Sequence, residues 1–117
     1  EIPPEFGQNN GSIGGIGLSQ NELSGTIPDH FFNIDNIDLN RNQLTGGISS
    51  QICTNIDMSK LDLSYNELSG VIPECICDLE LEFWDNQKFR IYSNKFCPPY
   101  PSCIEDYMGE QDTSGCN

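Results

Sequence analysis

Six cysteines, one histidine and a row of outward charges are the groups in this 117-residue chain whose types could do chemistry. A Ser-His-Asp or Cys-His nucleophile would have to use His30, which follows Pro28 by two residues and reads as a half-exposed turn histidine. A carboxylate pair of the glycosidase kind can be drawn between Asp38 and Asp62, whose backbones would stand ~4.8 Å apart on adjacent strands, but an open sheet offers them no enclosing pocket. Glu105, Asp106, Glu110 and Asp112 crowd together and could attract divalent cations, yet no EF-hand loop accompanies them. The cysteines form no Cys-x-x-Cys pair and have no set of histidine partners, so zinc is not expected. Catalytic residues, cofactors and metal ligands are therefore assigned to none of these groups. An even number of cysteines in so short a chain instead points to disulfides in an oxidising compartment.

The elements that must position these groups are announced by a repeat. Ile16-Gly-Leu18-Ser-Gln-Asn21-Glu-Leu23, Ile37-Asp-Leu39-Asn-Arg-Asn42-Gln-Leu44, Leu61-Asp-Leu63-Ser-Tyr-Asn66-Glu-Leu68 and Phe89-Arg-Ile91-Tyr-Ser-Asn94-Lys-Phe96 share one pattern, spaced 42−21=21, 66−42=24 and 94−66=28. These periods and the L-x-L-x-x-N-x-L core are those of leucine-rich repeats. Each alternating apolar pair makes a short inward-facing strand, and stacking builds a parallel sheet along one wall of a solenoid. The asparagines Asn21, Asn42, Asn66 and Asn94 can satisfy backbone groups where each coil leaves the sheet, as a structural ladder. Residues 1–104 read as coils, the first one partial, and 105–117 as a capping tail. Glu1 to Phe6 match the end of a repeat without its strand, so residue 1 is not expected to be the start of translation.

Ser24-Gly25-Thr-Ile27-Pro28, Thr45-Gly46-Gly-Ile48-Ser49 and Ser69-Gly70-Val-Ile72-Pro73 follow at one offset. This L-[ST]-G-x-I-P extension resembles the plant-type, extracellular class of leucine-rich repeats found in receptor-kinase ectodomains and in inhibitors of cell-wall-degrading enzymes. The resemblance implies a non-catalytic module outside the cell. The run from Ile76 to Cys116 resembles the C-terminal cap of secreted bacterial proteins of the same class.

Register supplies further expectations. Phe6, Phe31, Ile52, Ile76 and Ile104 each lie three residues after Pro3, Pro28, Ser49, Pro73 and Pro101, and that column should be core. The joining segments 29–35, 50–59 and 74–87 should form turns or short 3-10 pieces on the opposite face. Cys53 and Cys77 both lie seven residues after the unit glycine (46+7, 70+7), which stacks them and suggests a bond. The remaining four cysteines leave three connectivities, among which register favours Cys75–Cys103 with Cys97–Cys116 closing the tail. Trp84 is expected as a core or cap residue. Asn10-Gly-Ser12 is an N-glycosylation sequon.

With 18 acidic against 5 basic residues, the formal charge is −13, which opposes nucleic acid and anionic membranes. No run is long and apolar enough to span a bilayer. All 5 basic residues nonetheless fall in or beside the strands. The outward row Asn36, Asp38, Asn40, Arg41, Lys60, Asp62, Ser64, Tyr65, Lys88, Arg90 and Tyr92 is thus the candidate binding face, centred on Lys60, Asp62, Lys88, Arg90 and Tyr92. The bland reading has these cations merely neutralising Asp38 and Asp62 across strands. Two functions fit: a secreted or cell-surface recognition module for protein or glycan, or a subunit of an extracellular fibre stacked end to end through its first coil and the cap near Trp84 and Tyr107.

Overall fold

A computed structural model describes residues 15–116. Strands β1 (Gly15–Gly17), β3 (Asn36–Asp38), β5 (Lys60–Asp62) and β7 (Phe89–Arg90) form a parallel sheet in the order β1-β3-β5-β7. Their register aligns Ile16 with Ile37, Ile37 with Leu61, and Leu61 with Phe89, one per coil. Ile37, Leu61 and Phe89 are buried, as alternation requires. A second line of pairing joins β2 (Ser24–Thr26) to β4 (Gln43–Thr45) and β6 (Ser69–Gly70) to β8 (Lys95–Phe96). The repeat pattern had suggested strands along one wall only. The unit glycines in or directly after these strands, Gly25, Gly46 and Gly70, have φ of 82°, 83° and 82°, where a side chain would be strained.

Each coil returns over the opposite face through a 3-10 turn: Asp29–Asn33, Ser50–Thr54 and Glu74–Asp78. The carbonyls of Pro28, Ser49, Pro73 and Pro101 accept from the amides of Phe31, Ile52, Ile76 and Ile104 at 3.0, 3.1, 3.1 and 3.0 Å. Those i→i+3 closures swing the four apolar side chains inward, and all are fully buried. Phe6, the fifth member of the expected column, lies outside the described residues. Where proline is replaced by Ser49, its hydroxyl accepts from the Gln51 amide at 3.1 Å and caps the turn.

The asparagine ladder is the inner frame. Asn66 Oδ1 accepts from the Leu44 amide (3.0 Å), while its Nδ2 donates to the carbonyls of Leu39 (3.0 Å), Leu63 (3.1 Å) and Ser64 (3.2 Å). One side chain thereby ties the corner of its own coil to the preceding one. Asn42 and Asn94 do the same for their neighbours, with Asn94 Oδ1 accepting from Leu68 N at 3.0 Å. Asn21 departs from expectation. Its side chain is exposed and bonds Ser19 O of its own coil. A further asparagine, Asn55, is buried on the turn side and donates to the carbonyls of Phe32 and Ile34 at 3.1 and 3.0 Å. No buried side-chain nitrogen or oxygen among the described residues lacks a partner.

The tail completes the ladder with a different residue. Gln111 Oε1 accepts from Phe96 N (3.1 Å), and Nε2 donates to the carbonyls of Ile91 and Met108 (both 2.9 Å). Met108-Gly-Glu-Gln111 thus stands where a further Leu-x-x-Asn would, with Met108 buried like Leu63. Gly109, at φ 62°, allows the tail to press on Tyr92, since a Cβ there would collide with the tyrosine's own. Trp84, expected as a core or cap residue, is not in the core but 66% exposed beside the tail residues Asp106 and Tyr107. Leu81 takes the inward position, and Phe83 packs edge-on to Phe89 at 4.9 Å.

Two of the disulfides correct the register-based pairing. Cys53 bonds Cys75 and Cys77 bonds Cys103, with Cα separations of 5.6 and 5.7 Å, while Cys97 bonds Cys116 at 5.7 Å. Cys53 and Cys77 do occupy equivalent places, each following a buried isoleucine, and Cys75 and Cys103 each precede one. A 3-10 turn advances about 120° per residue, so the residues flanking an inward side chain point along the stack in opposite senses. Equivalent positions therefore point the same way and cannot meet. The residue after one isoleucine meets the residue before the next.

Two outcomes follow. Asn66→Ala leaves several buried backbone groups unpaired and should cost about 1–3 kcal/mol, whereas exposed Asn21→Ala should cost under about 0.5 kcal/mol; chemical denaturation of both compares them. Cys75→Ala should release Cys53 as the free thiol. Labelling followed by peptide mapping without reduction reads which cysteine reacts, and a reactive Cys103 would restore the stacked pairing.

Candidate recognition surface

The outward row on the sheet is a charge network before it is a surface. Register sets Asp38 beside Asp62 and Asp62 beside Arg90. Asp62 is only 2% exposed: Oδ1 accepts from the Ser64 amide (3.2 Å) and hydroxyl (2.7 Å), and Oδ2 from Asn40 Nδ2 (3.3 Å) and Arg90 Nη1 (3.4 Å). Asn40 Nδ2 also bonds Asp38 Oδ1, and Lys60 Nζ lies 3.7 Å from Asp38 Oδ2. Two like charges can share adjacent strands because an amide bridges them and a cation flanks each. Asp62 and Ser64, expected to contact a partner, are buried and hold the face together instead.

The other cations are committed in the same way. Lys88 is bound to Glu82, whose hydrogen bond and charge raise the lysine pKa above its ordinary value, and Lys95 lies 3.4 Å from Glu67. The bland expectation of neutralisation across strands therefore describes Lys60 and Arg90. Asn36 is exposed, and Asp38, Asn40, Lys60, Arg90 and Tyr92 are partly exposed around the network.

Arg41, Tyr65 and Tyr92 form a distinct line. Arg41 and Tyr65 each precede a ladder asparagine, and both have left-handed backbone, φ 59° and 58°. That conformation throws their side chains outward as the strand ends. The Arg41 guanidinium lies 4.2 Å from the Tyr65 ring centroid, and Tyr65 meets Tyr92 edge-on at 5.5 Å. Tyr65 remains 41% exposed. Of the expected centre of Lys60, Asp62, Lys88, Arg90 and Tyr92, the two lysines, Asp62 and Arg90 are held in ion pairs, and Tyr92 belongs to the line of Arg41 and Tyr65 at the strand ends. The signal was present in the sequence as Arg41 and Tyr65 at one repeat offset, but strand alternation alone does not show where a left-handed residue points.

The comparisons agree with this architecture. A family model for the leucine-rich repeat matches residues 57–79. The chain is similar to the plant peptide hormone receptor RGFR1 in complex with RGF2, at 29% identity and TM-score 0.68 over 81% of this chain and 15% of that one. It is similar to the BIR3–SERK2 complex from Arabidopsis thaliana, at 29% identity and TM-score 0.62 over 83% and 51%. The ectodomain of the Arabidopsis thaliana receptor kinase SOBIR1 shares the fold, at 24% identity and TM-score 0.72 over 95% and 61%. No curated protein sequence matches. Fold, family match and neighbours define a disulfide-capped leucine-rich repeat solenoid, and the chain spans from 15% to 61% of these neighbours' lengths. No enzymatic family is indicated.

The network makes a stability claim. Asp62→Ala strands the Arg90 guanidinium and Asn40 amide and should destabilise by about 2 kcal/mol, discounted from the 3–5 of a fully buried pair because Arg90 is partly exposed. Asn36→Ala should change stability by less than about 0.5 kcal/mol. Thermal melts of both variants check the contrast.

Proposed function

We propose that this chain is a non-catalytic recognition segment of an extracellular leucine-rich repeat protein, binding a peptide or protein across the strand face. The observation that carries the reading is the solvent-facing line of Arg41, Tyr65 and Tyr92 beside a charge network that is already satisfied. Tyr and Arg are the residue types that most often anchor interfaces, and here they are held by stacking without being consumed by an ion pair. Neighbours named for a plant peptide hormone receptor with its peptide and for the BIR3–SERK2 complex support a protein ligand over a glycan. Three disulfides support a secreted or cell-surface setting, and no described helix is long and apolar enough to cross a membrane. Glycosylation at Asn10 belongs to the same setting, although that residue lies outside the described range.

The fibre alternative needs two open ends. At the cap, Gln111 occupies the groups that another coil would use, which argues against stacking there.

Selection of a displayed random-peptide library on the purified chain tests the proposal. Enriched peptides should bind the Arg41→Ala/Tyr65→Ala/Tyr92→Ala variant at least about thirtyfold more weakly, the loss of ~2 kcal/mol expected of a true anchor. The turn-face variant Gln51→Ala should bind them unchanged. Binders indifferent to the triple variant, or none at all, would overturn the strand-face reading. Sedimentation of the chain as filaments would transfer the function to assembly.

A further inference from the structure

At the cap end, Phe83, Trp84, Asn86, Tyr92, Asp106 and Tyr107 line a cleft of about 210 Å³. The chain's one tryptophan is 66% exposed there and Tyr107 is 42% exposed. Large aromatic faces left in water at one place are costly surface unless something covers them. The cleft is smaller than the ~300–1,000 Å³ typical of small-molecule pockets, and so has room for one side chain of a larger partner.

Charge selects which side chain. Asp106 makes no ion pair among the described residues, because Lys60, Lys88, Arg90 and Lys95 are bound to Asp38, Glu82, Asp62 and Glu67, and Arg41 lies over Tyr65. The formal charge of −13 adds a field that draws cations in. Aromatic faces are themselves negative at their centres and favour a cation within about 6 Å, more so where a carboxylate stands beside them. Phe83 is held by its edge-on contact with Phe89, and Tyr92 by its contact with Tyr65, so part of the wall is preorganised. We propose that this cleft takes an arginine or lysine side chain of a partner peptide, with the cation against the aromatic faces and Asp106 as its counter-ion.

The inference does not rest on the strand-face reading, since Tyr92 alone is common to both. Trp84 supplies the readout, being the single tryptophan in the chain. The whole protein is titrated with N-acetyl tripeptide amides carrying a central arginine, lysine or norleucine, and emission is followed. Arginine and lysine should give a saturable change that weakens as salt is raised, and norleucine none. Asp106→Asn, an exposed substitution, should weaken binding about five- to tenfold. Calorimetry of Tyr107→Leu should show a similar loss. Arg41→Ala, which touches no wall of the cleft, should leave the titration unchanged even if it weakens binding of selected peptides. An equal response to norleucine would reduce the cleft to an apolar groove. Saturation by an uncharged cello-oligosaccharide instead would make it a glycan site, and no saturable response to any probe would also overturn the proposal.

Discussion

A coil that leaves a parallel sheet strands an amide of the coil before it and carbonyls of two coils, and the asparagine side chain is the group that answers all of them at once. Its oxygen accepts and its nitrogen donates, so Asn66 can take Leu44 N and give to Leu39, Leu63 and Ser64 carbonyls from a single position. Aspartate could not, having no donor to offer the carbonyls when ionised. Because each rung spans two coils, stability passes from neighbour to neighbour, and a solenoid is weakest where a rung lacks its partner. The tail solves that at one end by bringing Gln111 to the corner that the next asparagine would occupy.

The cysteines reinforce the same nearest-neighbour logic on the other face. Cys53–Cys75 and Cys77–Cys103 each join consecutive turns, and Cys97–Cys116 fastens the tail that carries Gln111. Every bond closes a loop of about one coil, with separations of 22, 26 and 19 residues. Such links restrain the unfolded chain while matching the spacing of the folded stack. Hydrogen bonds hold the sheet corner, and disulfides hold the turn face.

What could be read from the sequence was whatever the period carries. The strands, the buried column Phe31, Ile52, Ile76 and Ile104, and the inner asparagines all repeat with the coil, so their equivalence identified their role. A period states which residues correspond and is silent on which way they point along the axis, and that is why Cys53 was matched to its equivalent Cys77 when its neighbour is Cys75. Singular features carry no period at all: Asn55 on the turn face, Gln111 in the tail and the exposure of Trp84 arise where the repeat is broken. Strand alternation placed Asp62 outward, but it could not show that Asn40, Ser64 and Arg90 would close over it.

That closure decides which groups the face leaves available. In a chain with 18 acids and 5 bases, every base except Arg41, which lies over Tyr65, is met by an acid one strand away or close in sequence, and the resulting pairs have little charge left to offer. The exposed pairs Lys88–Glu82 and Lys95–Glu67 contribute about 0–1 kcal/mol each and are screened by salt, whereas buried Asp62 with its partners sets the shape of the face. What remains available is the complement: Arg41 and the aromatic rings at the strand ends, the rings in the cap cleft, and Asp106, which makes no ion pair among the described residues. On the proposed reading of the cap cleft, rings beside an unpaired acid disfavour anionic partners by repulsion and favour cationic ones by attraction, so the selectivity would come from the excess of acid that the fold itself does not need.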